Sequence, residues 1–235
     1  MKNYKLFLPL VALLMVGCGG SSSSKKPATP EPLAVYDFSE FIVPPANVTH
    51  TYDTTTYKKD EGDYVESDHS DFYRKYRYDN NSTIIISDED IEQKKIIISS
   101  NDVIIENLLN EEENMTLEKN VSIGNVVFSN RADETRDDFV GETVTDCTIT
   151  NYLDEKIIAD MSFLNVLEQT CISQFTATGS GSLTREDILT VITYFAKDNA
   201  EISSTSESCT LVKWGDTINE DNCTKVETTL DMVIP

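Results

Sequence analysis

The stretch FYRKYRYDNNSTIIIS, at residues 72–87, decides the fold class. The pattern of its first seven residues has a period of two, not 3.6, which indicates a β-strand. One face of that strand would carry Phe72, Arg74, Tyr76 and Tyr78. The segment DNNS is a strong turn signal, and the β-branched isoleucines after it favour a second strand.

Short apolar runs separated by short polar turns continue on both sides of this stretch. They include VTHTYDTTTY upstream and KKIIIS, VIIENLL, VSIGNVVFS, ETVTDCTITNY, TCISQFTA and CTLVKW downstream. Such spacing predicts a mainly β fold with little helix, a single antiparallel meander that forms a β-sandwich or an open half-barrel. Residues 182–198 fit a helix or a strand, and the β-branched run Thr190–Thr193 favours the strand. LNVLEQ, at 164–169, is the remaining candidate for a helical turn.

The amino terminus has the three parts of an export signal. Lys2 and Lys5 give it a positive charge, and the apolar run that follows is too short to span a bilayer. The run ends at Gly17-Cys18, which resembles the lipobox of bacterial lipoproteins, although Met15 stands where leucine is usual. The resemblance implies a signal peptide at 1–17 and diacylglycerol and palmitate chains on Cys18, with an ordinary secretory peptide as the alternative.

The residues after Cys18 form a flexible Gly/Ser/Pro tether, at 18–33, and an acidic β domain would follow at 34–235. The lipid chains on Cys18 would anchor the protein to the bilayer. Gly19 stands where inner-membrane retention usually requires aspartate, so the lipoprotein resemblance implies the outer membrane, on its periplasmic face or at the cell surface. The net charge of −22 argues against nucleic-acid partners.

A second resemblance concerns the carboxyl-terminal half. VGETVTDCTI, TCISQF and TYFAKDNAEI are similar to segments of uncharacterised bacterial secreted β-domains, which often carry a tyrosine-aromatic-Ala-Lys strand before a glycine turn. Here Tyr194–Lys197 matches that strand, and Asp198–Ala200 replaces the glycines. The general pattern is also similar to the half-open barrel of outer-membrane lipoprotein carriers and receptors. That likeness implies a cavity for an apolar ligand and assigns no residue.

Four cysteines remain after Cys18, and an even number in an exported chain predicts disulfides. Three pairings are open. Neighbouring strands touch in a meander, which favours Cys147 with Cys171 and Cys209 with Cys223. No two cysteines have the close spacing of a structural zinc site.

The sequence predicts no catalytic residue and no cofactor. His69 lies in DHSD, at 68–71, but neighbouring residues of a strand point apart, whereas a catalytic triad must converge. Several tyrosines in the first third could line a surface for a glycan or an envelope protein, or could pack in the core. They are Tyr52, Tyr57, Tyr64, Tyr73, Tyr76 and Tyr78.

Two kinds of surface site are further candidates. Weak calcium binding could use the acidic turns, which also fit plain solvated loops. Their residues are Asp60, Glu61, Asp63, Glu66, Asp68, Asp88, Glu89, Asp90, Asp216, Asn219 and Asp221. Candidate glycosylation sites combine Asn-x-Ser/Thr with an acid two residues earlier, at Asn81, Asn114, Asn120 and Asn222.

Together these features predict a membrane-anchored bacterial lipoprotein with a non-enzymatic binding or scaffolding role. A half-barrel that carries a lipid or another apolar ligand is the first alternative, and a hydrolase of the cell envelope is the second. The carrier requires an unfilled apolar interior. The hydrolase requires a convergent polar cluster in a cleft.

Overall fold

A computed structural model describes residues 33–45, 47–60, 62–79, 82–87, 90–110 and 114–235, with the side chains of 219–221 excepted. Leu33–Pro235 forms one unit. The predicted signal peptide, the acylated Cys18 and all but the last residue of the tether lie outside the described residues. The domain limits proposed from the sequence therefore stay a prediction.

The described residues contain fourteen strands, one short helix and one 3-10 turn at Ser180–Ser182. Helix α1 spans Ser39–Ile42. The strands are β1 Tyr36–Asp37, β2 Val48–Asp60, β3 Asp63–Asp79, β4 Ser82–Ser87, β5 Glu92–Ile98, β6 Asp102–Asn107, β7 Met115–Glu118, β8 Asn120–Val121, β9 Val126–Arg136, β10 Phe139–Ile158, β11 Met161–Thr178, β12 Leu183–Ala196, β13 Ala200–Trp214 and β14 Thr217–Ile234. Among these residues no helix has the length and apolar character needed to cross a bilayer.

Twelve strands form one antiparallel sheet in the order β7-β6-β5-β4-β3-β2-β14-β13-β12-β11-β10-β9. Every hydrogen-bonded neighbour is also a neighbour in sequence, except that β14 returns to pair with β2. The edge strands β7 and β9 lie side by side without pairing, so the sheet is nearly closed and barrel-like. This confirms the predicted mainly β antiparallel meander.

Two segments whose sequences are compatible with a helix form strands in the structure. The strand predicted within residues 182–198 is confirmed, because β12 pairs along its whole length with β11 and β13. The helical turn suggested for residues 164–169 is wrong, since LNVLEQ lies inside β11. There β11 is hydrogen-bonded on both sides, to β10 and to β12, and those ladders outweigh the weak local helix propensity.

A short amino-terminal segment, residues 36–44, packs inside the curved sheet, and we call it the plug. Strand β1 pairs with β8, and α1 follows directly. Phe38, Phe41 and Ile42 are buried in the main apolar core, where they meet inward-facing side chains of strands from β3 round to β13. The ring of Phe38 meets that of Phe195 edge-on at 5.6 Å. The plug therefore supplies core that the sheet lacks.

One row of cross-strand neighbours divides the sheet. It runs through Cys147, Cys171, Val191, Ser206, Val226 and Thr56. We call the side of this row that holds the plug the proximal half, where all twelve strands take part. On the other side, the distal half, only β9–β14, β2 and β3 continue. The distal half is therefore an open sheet of eight strands.

Candidate functional site

An interior cavity of about 210 Å³ lies between the plug and the proximal half of the sheet. Its apolar wall combines plug residues with side chains from β3 to β7 and from β12. This wall consists of Phe38, Ile42, Tyr76, Ile85, Ile96, Ile105, Met115, Leu117 and Phe195. The polar side chains that line the cavity are Arg74, Gln93, Lys94, Gln169 and Glu201. The cavity thus offers apolar and charged surface to one small molecule.

An ion pair contributes two of the polar groups. Arg74 of β3 donates from Nη1 to Oε2 of Glu201 in β13 at 2.9 Å, and both side chains are about four-fifths buried. Strands β2 and β14 separate these two strands, so only the curvature of the sheet allows the contact. Burial would raise the pKa of Glu201, but the charge of Arg74 and hydrogen bonds from Arg74 and Ser204 outweigh burial and lower it. Glu201 is therefore an anion at neutral pH.

Aromatic side chains and a buried histidine surround this pair. The Tyr52 hydroxyl donates to the Glu201 backbone carbonyl at 2.9 Å, and His50 Nδ1 lies 3.2 Å from that hydroxyl. The Arg74 guanidinium stacks over the Tyr52 ring at 5.0 Å. Burial, and then the positive charge of Arg74, lower the pKa of His50 to about 4, with Glu201 opposing. His50 is therefore neutral inside the sheet at physiological pH.

The tyrosines divide between core and surface. Tyr52 and Tyr76 are buried, as the core interpretation predicts, and burial with the neighbouring Tyr76 raises the pKa of Tyr52 well above its usual value. Tyr57, Tyr64 and Tyr73 are half-buried, and Tyr78 is exposed. Because the six rings do not share one face, a stacking surface for a glycan would have to use fewer of them.

The DHSD segment lies in β3, as the strand pattern requires. His69 and Asp71 occupy the outer face, whereas Asp68 and Ser70 alternate to the other face. His69 instead approaches residues of β2, with its Nδ1 3.5 Å from Asp53 Oδ1 and 3.4 Å from Thr55 Oγ1. The neighbours in sequence are not convergent, so this segment does not assemble a triad from His69, Ser70 and Asp71.

Both predicted disulfides form. Cys147 and Cys171 lie directly opposite each other on β10 and β11, with their Cα atoms 3.9 Å apart. Cys209 and Cys223 do the same on β13 and β14, at 4.1 Å. Each bridge therefore joins strands that are consecutive in the meander, which confirms the neighbour pairing.

The other predicted surface sites remain predictions. None of the calcium candidates that the structure describes, Asp60, Asp63, Glu66, Asp68, Asp90 and Asp216, belongs to a three-ligand cluster. Asn114, Asn120 and Asn222 are exposed, as a glycan acceptor must be. Glu61, Asn81, Asp88 and Glu89 lie outside the described residues, as do the side chains of Asn219 and Asp221.

The sequence did not reveal the residues that complete the cavity. Glu201, Gln169 and Phe38 come from distant segments, and their convergence depends on curvature that a strand pattern does not encode. Arg74 gave the one signal, as a base in a very acidic chain. Its partner is not on an adjacent strand, because β2 and β14 lie between Arg74 and Glu201, just as β4 lies between Arg77 and its partner Glu92.

The side chains that line the cavity suit the binding of a small molecule. Arg74 and Glu201 neutralise each other, Lys94 adds one positive charge, and the apolar wall excludes water from one side of a guest molecule. A ligand with a compact apolar part and a polar end would meet both surfaces. Comparison with protein-family models, with curated proteins and with solved structures found no match to this chain.

Proposed function

We propose that this chain is a lipid-anchored binding protein of the bacterial outer membrane, without catalytic activity of its own, that acts in the periplasm or at the cell surface. The interior cavity carries this proposal. The plug forms one of its walls, and it is lined by apolar side chains together with the Arg74–Glu201 pair. An envelope protein or a glycan would be the partner of the outer surface.

Two observations support the location. Gly17-Cys18 follows a basic start and an apolar run, which is the arrangement of a lipoprotein signal. The two disulfides suit an oxidising compartment outside the cytosol. Labelled palmitate should therefore enter the wild-type protein in the native host and should not enter Cys18→Ala. Equal labelling of the two proteins would overturn the anchor.

The size of the cavity limits the ligand. The cavity has a volume of about 210 Å³. Pockets for drug-sized ligands are larger, at about 300–1,000 Å³. We therefore infer a compact ligand, such as a single aromatic ring with a carboxylate or an amide. The alternative function, carriage of a long acyl chain, shares the apolar lining and would require the plug to leave.

A filled cavity tests the proposal. Ile105 is half-buried and lines the cavity, so Ile105→Phe should occupy part of its volume. Benzoate and indole serve as probes, because benzoate is a single aromatic ring with a negative charge and indole is a compact, neutral fused ring system. Ligand-observed NMR should detect saturable binding of at least one probe to the wild type and loss of that binding in Ile105→Phe.

The matched control is Ile172→Phe, which makes the same change at an exposed position in β11. It should bind the probe as the wild type does. Equal binding by all three proteins would place the probe elsewhere and contradict the cavity as the binding site. Binding of a long-chain fatty acid that survives Ile105→Phe and displaces the plug, seen as new exposure of Phe38, would favour the carrier.

A further inference from the structure

Strands β2 and β3 hold a mixed group of acids and histidine on their outer face, opposite to the face that carries Tyr52. Asp53 lies directly across the ladder from Asp71, and His69 lies across from Thr55, one step along the same face. One ligand atom from each of Asp53, His69 and Asp71 lies within 4.8 Å of the other two. These three side chains therefore surround a common point.

We propose that Asp53, His69 and Asp71 bind one divalent transition-metal ion of the zinc type. Two carboxylates directly opposite each other on adjacent strands repel, which destabilises the ladder. A divalent cation between them would reverse the sign of that interaction. The imidazole of His69 adds a nitrogen ligand on the side where Thr55 contributes a hydroxyl, 3.4 Å from Nδ1.

The donor set selects the class of metal. Calcium takes six to eight oxygen ligands, and an imidazole is a poor substitute. Zinc and its first-row neighbours accept imidazole and carboxylate together, at about 2.0–2.2 Å. Ligand atoms on one such ion are at most about 4.4 Å apart, so separations within 4.8 Å need only small side-chain adjustments. Three protein ligands leave a position for water.

The position of Asp53, His69 and Asp71 in the β2–β3 ladder distinguishes them from the many other acids of the chain. They sit in the regular part of a long strand pair, where backbone hydrogen bonds fix their spacing. The other three-ligand group in the described residues is Glu207, Cys209 and Cys223, and its sulfur atoms are consumed by a disulfide. The proposed site also stands apart from the cavity, so neither proposal depends on the other.

The full-length protein, purified in detergent with no histidine tag, allows a direct test. Zinc chloride is titrated by calorimetry and by NMR of the two histidine side chains, since the chain contains only His50 and His69. We expect one saturable zinc ion per chain, a shift of the His69 signals and unchanged His50 signals. His69→Ala and Asp71→Asn should each weaken zinc binding about tenfold or more.

Asp146→Asn is the matched control, because Asp146 is another exposed aspartate within a strand ladder. It should bind zinc as tightly as the wild type. Zinc binding that is equal in the wild type, His69→Ala and Asp71→Asn would overturn the site, as would calcium that competes at equal concentration. Absence of saturable zinc binding to the wild type would likewise overturn the site. Thermal melting of every variant checks that it is folded.

Discussion

Two pairs of neighbouring residues show how differently the two halves of the sheet are covered. In the proximal half, Val166 and Leu167 point to opposite faces of β11, and both are 0% exposed. In the distal half, Ile188 and Leu189 point to opposite faces of β12, and they are 37% and 39% exposed. The same sheet is thus packed on both faces at one end, whereas at the other end both faces reach solvent and burial is confined to a small patch around Phe175, which is 1% exposed.

This difference indicates two sources of stability. The proximal half gains free energy from buried apolar area, much of it supplied by the plug. The distal half depends on cross-strand pairs and covalent links, among them the Cys209–Cys223 bridge and the contacts of Arg136 with Glu134 and Asp187. Outside the patch around Phe175, substitutions that remove packing should therefore be costly in the proximal half and mild in the distal half.

Removal of a plug side chain should have the largest effect. Phe38 is fully buried, so Phe38→Ala leaves a cavity and should lower the free energy of unfolding by about 3–5 kcal/mol. Urea denaturation monitored by circular dichroism measures the change. Trp214→Ala, which truncates a 59% exposed ring in the distal half, should cost no more than about 0.5 kcal/mol. Equal losses would show that the plug is not part of the cooperative core.

Acid should destabilise the proximal half through His50. Its pKa falls from 6.5 in the unfolded chain to about 4 in the folded protein, so the unfolded state binds the proton first as the pH falls. Above pH 6.5 the free energy of unfolding has its full value. It should fall by about 3 kcal/mol as the pH drops from 6.5 through 4. Tyr52, Tyr76, Arg74 and Glu201 surround the ring, and His50 Nε2 has no hydrogen-bond partner among the described residues, so protonation there gains no acceptor and Glu201 offsets burial only in part.

The measurement is the free energy of unfolding from urea curves between pH 7 and pH 4, at roughly half-unit steps. Subtraction of the His50→Gln curve from the wild-type curve removes the contribution of carboxyl groups that titrate in the same range. His69→Gln, which leaves His50 in place, is the control. A His50→Gln protein with the same pH dependence as the wild type would contradict the assignment.

The interior ion pair should be worth more than an ion pair on the distal surface. Arg74→Met leaves the Glu201 carboxylate buried without its partner, and we expect a loss of about 2 kcal/mol, less than for a fully buried pair because both side chains keep some solvent contact. Arg74→Met with Glu201→Leu should recover much of that loss. Arg131→Met breaks the pair with Glu142, where Arg131 is 70% exposed, and should change stability by at most about 0.5 kcal/mol. Denaturation curves of the four proteins decide this.

The sequence predicted what depends on neighbours along the chain. Period-two alternation placed Phe72, Arg74 and Tyr76 on one face, and the meander gave the two disulfides, because consecutive strands pair. Closure of the sheet was not predictable in the same way. It depends on the return of β14 to β2 and on the insertion of the plug, and both join residues that are far apart in sequence. The cavity and the Arg74–Glu201 pair were missed for that reason.

The smallest expected effects lie in two turns at opposite ends of the sheet. The β10–β11 turn, at the proximal end, holds Ala159 at φ 46° and Asp160 at φ 65°. The β13–β14 turn, at the distal end, places Gly215 at φ 57°, where glycine has no side chain to strain. Left-handed backbone costs an alanine about 1 kcal/mol. Packing of the adjoining Ile158 and of Phe163 holds the strained turn in place at the proximal end.

Reciprocal exchange of these residues tests whether packing or local backbone preference sets each turn. Ala159→Gly should raise the free energy of unfolding by about 0.5–1 kcal/mol, because it removes the strain and leaves the apolar contacts intact. Gly215→Ala should lower it by about 1 kcal/mol, and that cost is purely conformational, since an added Cβ would meet nothing within 4 Å. Urea denaturation of both variants gives the two values. If Ala159→Gly is destabilising instead, the proximal turn owes its stability to the Ala159 side chain, and packing at that end extends further than the buried cluster.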